Sequence, residues 1–479
     1  MTAADLTTRP AVTAPRLTID GAAVDGPDGI DVVDPATAAP FVRVPGASVE
    51  QLDTAVAAAN RAAAGWRRTD PAERRRLVLA FAGTVRAHID ELALLLTLEQ
   101  GKPLARAKGE IESGLRYVEA AAATGLVDEV VRDDASERIV VRRVPLGVVA
   151  AITAWNYPLL LALWKIGPAL ATGNAVIVKP SPFTPVATLR VGELAQEVLP
   201  PGVLQVLAGG DDLGRALVEH EGVHKISFTG SQRTGKAIMA GAAGTLKRLT
   251  LELGGNDAGV VLPDADPAAI ASDLYWGGLS NCGQVCAGLK RLYVPAARAA
   301  EYAEALADVA RTVRVGSGLE DGVVMGPVQN APQLARVRGL VEDAAARGAD
   351  VVFRGEAPDG PGYFHPVTLL RTDSDEVAVV AEEQFGPVLP ILAYDSVDEA
   401  VERANGTPFG LGASVWSADP ERAGDVADRL EAGTVWVNQH PMLSPDTPFG
   451  GLKQSGIGVE ASVHGLLAYT DISVLRAKR

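Results

Sequence analysis

The sequence is short of sulfur: Cys282 and Cys286 are its only cysteines in 479 residues. So sparse a cysteine content excludes a disulfide scaffold and fits a reducing compartment, hence the cytoplasm. The two thiols are spaced like a metal pair on one helical face. No further cysteine or clustered histidine completes a four-ligand set, so no metal centre is expected. No apolar run is long enough to span a membrane. Residues 1–15 are polar and rich in Thr, Ala and Pro. They lack the basic-then-apolar order of a signal peptide and read as a disordered tail. Long basic runs are also missing, and the formal net charge is −15. That argues against nucleic acid and anionic membrane as partners. It leaves an anionic cofactor open, because backbone N–H groups hold phosphates locally. Neither G-x-G-x-x-G nor a phosphate-loop lysine motif is present.

What is present is enough apolar residue, 47%, for a large core in two or three domains. Short apolar pieces from Leu17 to Val44 predict small strands and turns. Ser48 and Gln51 form a capping box, Asp70-Pro71 opens a second helix, and Gly101-Lys102-Pro103 stops its successor before a helix over 105–123. Strands are then predicted at 148–152, 174–178, 203–207, 225–228 and 248–253, with helices between them, one of them capped at Thr184-Pro185. Alternation in units of about thirty residues means a parallel, doubly wound sheet. Such sheets bind ligands at the carboxyl ends of their strands. Asn156, Lys179, Gly230 and Glu252 stand at those ends. After Gly255 the alternation restarts, giving a second α/β domain with strands at 258–262, 292–294, 351–353, 388–393, 413–416 and 434–437. The stretch 468–475 is a lone apolar-alternating strand that needs a pairing partner, such as another subunit.

The chemistry centres on Asn281-Cys-Gly-Gln-Val-Cys286 and, thirty-four positions before Cys286, Glu252 in Leu-Glu-Leu-Gly-Gly. A cysteine reacts as its thiolate and is usually helped by an acid/base group, here Glu252. Gly283 and Gly288 let the backbone turn tightly beside a ligand. Phe228-Thr-Gly-Ser231 leads from strand to helix, where helix amides can face a pyrophosphate. Read singly, Cys286 is also compatible with a core thiol and Gly230 with plain turn chemistry.

Jointly, seven motifs in order resemble the aldehyde dehydrogenase superfamily over roughly residues 17–476. They are Ala154-Trp-Asn-Tyr-Pro158, Lys179-Pro-Ser181, Phe228-Thr-Gly-Ser-x-x-x-Gly235, Leu251-Glu-Leu-Gly-Gly255, Asn281-x-Gly-Gln-x-Cys286, Glu383-Gln-Phe-Gly-Pro387 and Pro448-Phe-Gly-Gly-x-Lys-x-Ser-Gly456. The resemblance implies that Cys286 is the nucleophile, that the Asn156 side-chain amide and the Cys286 N–H hold the oxyanion, and that Glu252 activates water. It implies a cofactor site of Trp155, Lys179, Ser181, Gly230, Ser231, Gly235, Glu383 and Phe385. It implies a substrate pocket of Tyr157, Leu160, Leu161, Trp164, Val285, Leu443 and Phe449. Glu252 also favours hydrolysis to the free acid over transfer to CoA.

The implied architecture is two Rossmann-like domains plus a small β oligomerisation segment in a homodimer or homotetramer. The expected bounds are 16–126 with 146–254 for the cofactor domain, 255–455 for the catalytic domain, and 127–145 with 456–479 for the bridging segment. Some positions depart from the family pattern. Pro182 replaces a glutamate that many NAD-preferring relatives place there, which predicts NAD use with NADP also accepted. Gly458-Val459-Glu460 replaces Gly-Arg-Glu, which predicts the loss of a surface ion pair of small effect. The implied pocket holds no arginine, which argues against carboxylate-bearing aldehydes and for neutral aliphatic or aryl ones. Tyr157 and Trp164 also resemble part of the cation box of amino- and betaine-aldehyde enzymes, although Ser280 stands where an aromatic is common. A thiol esterase and a silent structural protein are the readings from other classes.

Overall fold

A computed structural model of the chain describes residues 12–479. Of the expected tail, residues 1–11 lie outside the described residues. Val12 packs on the first core and Pro15 is buried, so residues 12–15 belong to the body.

The chain opens with strands β1 (Leu17–Ile19), β2 (Ala22–Val24), β3 (Asp28–Asp34) and β4 (Ala39–Gly46). Helices α1 (Val49–Trp66), α2 (Pro71–Ala87), α3 (Ile89–Gln100) and α4 (Leu104–Ala123) follow, then β5 (Glu129–Asp133) and β6 (Glu137–Pro145). The first alternating half runs β7 (Val148–Ile152), α5 (Pro158–Ala171), β8 (Ala175–Lys179), α6 (Val186–Ala195), β9 (Leu204–Val206), α7 (Asp211–Glu219), β10 (Lys225–Thr229), α8 (Gln232–Ala242) and β11 (Arg248–Glu252). The second begins with β12 (Asp257–Val261), α9 (Pro267–Leu279), β13 (Leu289–Pro295), α10 (Ala299–Arg311), α11 (Ala331–Ala346), β14 (Asp350–Arg354) and β15 (Thr368–Arg371). It continues through α12 (Ala378–Ala381), β16 (Val388–Tyr394), α13 (Val397–Asn405), β17 (Gly412–Trp416), α14 (Pro420–Ala427) and β18 (Thr434–Val437). The described chain closes with β19 (Gly456–Ile457), α15 (Ser462–Leu467) and β20 (Thr470–Lys478).

Two large sheets carry the fold, ordered β19-β11-β10-β7-β8-β9-β1-β2 and β14-β15-β16-β13-β12-β17-β18. The run β11-β10-β7-β8-β9 is parallel, and every residue of β7, β8 and β10 is buried. Strands covered on both faces read as continuous apolar runs, which is why Val148–Ile152 and Ala175–Val178 are legible. A fully buried Val or Ile contributes about 1.5–3 kcal/mol, so these strands anchor the loops at their ends.

Local signals hold where the partner is local. The Ser48 hydroxyl accepts from the Gln51 N–H at 3.2 Å, and the Gln51 side chain accepts from the Ser48 N–H at 3.1 Å. Asp70 and Asp266 cap α2 and α9, each ahead of a proline. The expected cap at Thr184-Pro185 fails: Pro185 precedes α6 without a side-chain bond. Buried Glu99 from α3 takes that role, accepting from the Val186 and Ala187 N–H groups at 2.6 and 3.1 Å. A carboxylate at a helix start satisfies orphan amides and faces the positive end of the dipole.

The terminal strand needs no second subunit for its ladder. β20 pairs antiparallel with β6 of its own chain from Thr470↔Pro145 to Lys478↔Glu137, and β5 completes a three-stranded sheet. The stretch 456–479 divides between two sheets: Gly456 pairs with Glu252 at the edge of the first, while β20 joins the third. β15, unmarked in the sequence reading, pairs parallel to β16. Its four residues are too few for a periodic signal.

Candidate active site

The chain runs β7, β8, β9 in one direction across the first sheet and then returns to lay β10 and β11 on the other side of β7. Loops leaving β7 and β10 therefore diverge and open a crevice at their carboxyl ends. It is a cavity of about 510 Å³ lined by Trp155, Asn156, Gly230, Ser231, Gly254, Cys286, Glu383 and Phe385, with Gln333 and Arg336 added from α11. Residues from both large sheets thus meet on one wall. Trp155 and Phe385 stand edge to face at 5.3 Å across it.

Cys286 is delivered by a strained turn. Asn281, Cys282 and Gly283 have φ of 51°, 59° and 69°, and two of them carry side chains that disfavour this region. Side-chain hydrogen bonds hold it. The Asn281 amide donates to the Asn156 carbonyl at 2.9 Å, and the Gln284 amide donates to the Asn281 carbonyl at 2.9 Å. The Gln284 side-chain oxygen accepts from the Gln329 N–H at 2.8 Å, and Lys290 donates to the Gly283 carbonyl at 2.8 Å. Cys282 is buried beneath this turn in apolar surroundings, and both thiols are free. Asn156 Nδ2 donates to the Gln284 carbonyl at 3.0 Å, while its Oδ1 is buried without a partner. Among the described residues no group of His, Cys, Asp and Glu could hold a metal ion.

The electrostatics favour neutral resting groups. Burial, then the charges of Glu383, Glu252 and Asp257, push the Cys286 thiol up to about 12. Burial also pushes Glu383 up to about 7, against the opposing Lys290 ammonium. Glu383 accepts from the Gly255 N–H at 3.3 Å. Glu252, at the end of β11, is buried with neither oxygen hydrogen-bonded, and burial holds its pKa well above the usual range. Glu460 raises it further and Lys165 opposes that.

Lys165 and Glu460 are functional neighbours that sequence reasoning missed. They form a buried ion pair at 2.6 Å, and Ser227 donates to the same carboxylate oxygen at 2.9 Å. Glu460, next to the Val459 departure, is 1% exposed and paired internally. Its signal was Lys165, the one charge in the otherwise apolar α5. A second missed pair is Lys102 and Glu110, fully buried and in contact. Glu110 accepts from the Leu159 and Leu160 N–H groups at 3.0 and 3.2 Å, capping α5, and Lys102 donates to the Asn156 carbonyl at 3.0 Å.

The remaining expected residues fall around this centre. Lys179 ends β8, two strands from β10, Ser181 follows it, and both are buried. Burial lowers the Lys179 ammonium to about 8. Ser231 caps α8, accepting from the Thr234 N–H at 3.2 Å. Gly235 lies inside α8 against Leu253, where it allows close helix–strand packing and lines no part of the cavity wall. Leu161, Trp164 and Phe449 cluster with half-buried Tyr157, Leu160, Leu443 and Cys286, and Trp164 stacks on Phe449 at 5.8 Å. Tyr157, Leu160 and Val285 also line an outer cavity of about 640 Å³, which His440 and Met442 border as well. That wall includes Arg106 and Arg116 from α4, so the arginine-free pocket read from the sequence describes its inner part only.

The residues present fit an anionic dinucleotide. A Cβ on Gly230 would overlap the Phe228 ring and one on Gly254 would overlap the Glu383 carboxylate, so bare backbone faces the crevice there. The start of α8 points amides toward it, with Arg233 on the wall.

Fold and site together define a two-domain, nucleotide-binding oxidoreductase. The chain belongs to the aldehyde dehydrogenase family, whose model matches residues 23–475, and it is an aldehyde dehydrogenase of the NAD(P)-binding kind. It is 41% identical over 457 residues to phenylacetaldehyde dehydrogenase of Pseudomonas fluorescens, covering 92% of this chain and 91% of that one. The aldehyde dehydrogenase of Bacillus cereus, solved as an NAD+ complex, superposes with a TM-score of 0.95 at 33% identity, covering 100% and 99%. An NADP-dependent enzyme of E. coli superposes with a TM-score of 0.94 at 35% identity, covering 97% and 98%. Among the described residues no helix is long and apolar enough to cross a membrane.

Proposed function

We propose that the chain oxidises an aldehyde to the free carboxylic acid through a thioester on Cys286. The observation that carries this is one cavity wall bearing Cys286, Asn156 and Glu383, with the unpartnered Glu252 carboxyl set in the same charge environment. Ionised Glu252 takes the Cys286 thiol proton and passes it to solvent, the thiolate attacks the carbonyl carbon, and the former carbonyl oxygen becomes an oxyanion. The Asn156 amide, released from Gln284, and the Cys286 N–H stabilise it. The nicotinamide ring, when bound, supplies the hydride acceptor. Glu252 then takes a proton from water, which attacks the thioester and frees the acid and the thiol. The base is needed ionised, and its hydrophobic burial holds back that ionisation until the site is engaged.

Glu383 would take the nicotinamide ribose, with Phe385 and Trp155 beside the ring. Lys179 and Ser181 would take the adenosine ribose. Pro182 offers no carboxylate against a 2′-phosphate, which supports use of both NAD and NADP. The aromatic cluster of Tyr157, Trp164 and Phe449 supports an aliphatic or aryl group next to the carbonyl. An amino- or betaine-type aldehyde is the second reading, carried by the same rings. Exposed Ile472, Val474 and Val130 on the third sheet support a homodimer or homotetramer. The free thiols support a cytoplasmic, reducing location.

The test is nicotinamide reduction over a panel of aliphatic, aryl, amino- and acidic aldehydes, with NAD and NADP in parallel and Cys286→Ala as blank. Reduction that vanishes in the blank is expected. Turnover that survives in the blank, or cofactor-independent ester cleavage alone, would remove the reading.

A further inference from the structure

The two cations on the outer cavity are not explained by the chemistry at Cys286. α4 presents Arg106, Gly109, Glu110, Ser113 and Arg116 to that cavity, a spacing that puts all five on one helix face. The arginines are ten residues apart, about 15 Å along the axis. Gly109 and Ser113 between them are small, so the face is a trough with a guanidinium at each end. Both arginines are exposed, and among the described residues neither is paired with a carboxylate. Arg106 lies over the Trp276 ring at 5.6 Å, which forms part of the opposite wall. Tyr157 lines the same cavity and packs in the inner cluster with Cys286, so the trough continues from the inner pocket.

Cations outnumber carboxylates among the residues lining the cavity, and Asp446 just outside that lining offsets the excess. Lys102 and Glu110 cancel as a buried pair, leaving Arg106 and Arg116 against Asp273 on the same cavity; Asp446 lies near Tyr117 and Arg116. Two guanidiniums without an ion-pair partner on one concave wall stand out in a chain of net charge −15. Unpaired guanidiniums over an apolar channel match a ligand with an apolar body and a carboxylate at its far end.

We propose that this trough selects aldehydes whose distal end carries a carboxylate, with Arg106 and Arg116 as the specificity-determining residues. The proposal rests on the dehydrogenase reading for the reacting end and adds the substrate's other end. The inner pocket sees an alkyl or aryl segment, and the acid group stays at the wet rim, where its desolvation is partial.

The test compares kcat/KM for ω-formyl alkanoates of increasing chain length, each against its methyl ester, in the full chain and in Arg106→Gln/Arg116→Gln. The expected acid-over-ester ratio exceeds one once the chain reaches α4, falls about threefold to tenfold in the double variant, and shrinks with added salt. A ratio at or below one at every length overturns the proposal, and so does a ratio that survives the double exchange. Binding is read separately by calorimetry of α,ω-dicarboxylates on Cys286→Ser, with and without the two arginines. Weaker binding by a similar factor in the arginine-free form supports the trough, and equal binding overturns it. Loss of all aldehyde turnover with that discrimination intact would strike the dehydrogenase reading and leave the trough standing.

Discussion

Replacing Lys165 by Met and Glu460 by Gln should push one catalytic step in opposite directions. Their ion pair spans 2.6 Å with side-chain exposures of 0% and 1%, and Ser227 shares the carboxylate. Lys225 faces the same cluster over the Tyr469 ring at 4.8 Å, and Tyr469 donates to Ser227 at 3.3 Å. Removing either partner leaves an uncompensated charge in the interior, which costs about 3–5 kcal/mol of stability. Removing both takes the pair out together and leaves only Lys225, whose ammonium burial lowers to about 7, so Lys165→Met/Glu460→Gln should lie within about 2 kcal/mol of the parent. Stability alone thus gives two similar losses and a large coupling. Catalysis separates them, because Glu460 raises the Glu252 pKa while Lys165 opposes it. In Lys165→Met the raising charge is unopposed, so Glu252 keeps its proton to higher pH and thioester hydrolysis slows at neutrality. In Glu460→Gln the ammonium acts alone, and the same profile moves toward acid. The assay is single-turnover decay of the Cys286 thioester by rapid quench across pH, with denaturant midpoints measured on the same preparations. Profiles that move together, or that stay in place while stability falls, would refute the placement of Glu252 as the base beside this pair.

Glu252→Gln should give one turnover of reduced cofactor and a trapped thioester, with steady-state kcat down at least about 100-fold; mass spectrometry of the intact protein reads the adduct, and unchanged kcat removes the residue from the mechanism. In the native chain the raised Glu252 pKa means hydrolysis should still be climbing at pH values above the usual carboxylate range, because only the ionised carboxylate accepts the proton; a profile that levels off within that usual range contradicts this. Gly283→Ala should lose at least about 3 kcal/mol in a denaturant titration, because φ is +69° and the new Cβ would overlap the Gly386 carbonyl, which is backbone and cannot step aside. Pro182→Glu should cut kcat/KM for NADP at least about tenfold relative to NAD by placing a carboxylate against the 2′-phosphate, whereas the native ratio should stay within about a thousandfold either way, short of the roughly 4 kcal/mol a strict preference needs.

What could be read from residue order was what depends on near neighbours. Ser48 and Asp266 announce their helices because their partners are within three residues. The parallel strands announce themselves because burial on both faces makes them uniformly apolar. The carboxyl-end residues Asn156, Gly230 and Glu252 follow from that alternation, since a doubly wound sheet leaves its crevice there. What was hidden depends on pairs far apart in sequence. Glu110 caps α5 from 49 positions away, Glu99 caps α6 from 87, and Glu460 meets Lys165 across 295. A glutamate in a glycine-rich stretch reads as exposed until its cation is found. Yet Lys165 was a legible warning. A lone charge in Pro-Leu-Leu-Leu-Ala-Leu-Trp-Lys-Ile-Gly-Pro-Ala-Leu-Ala has no solvated face to occupy, so the fold must bring it a buried carboxylate. The same reasoning run in reverse marks Arg106 and Arg116. Their helix does have a wet face, and among the described residues no carboxylate stands within ion-pair distance of them, which is the gap the proposed distal carboxylate would fill.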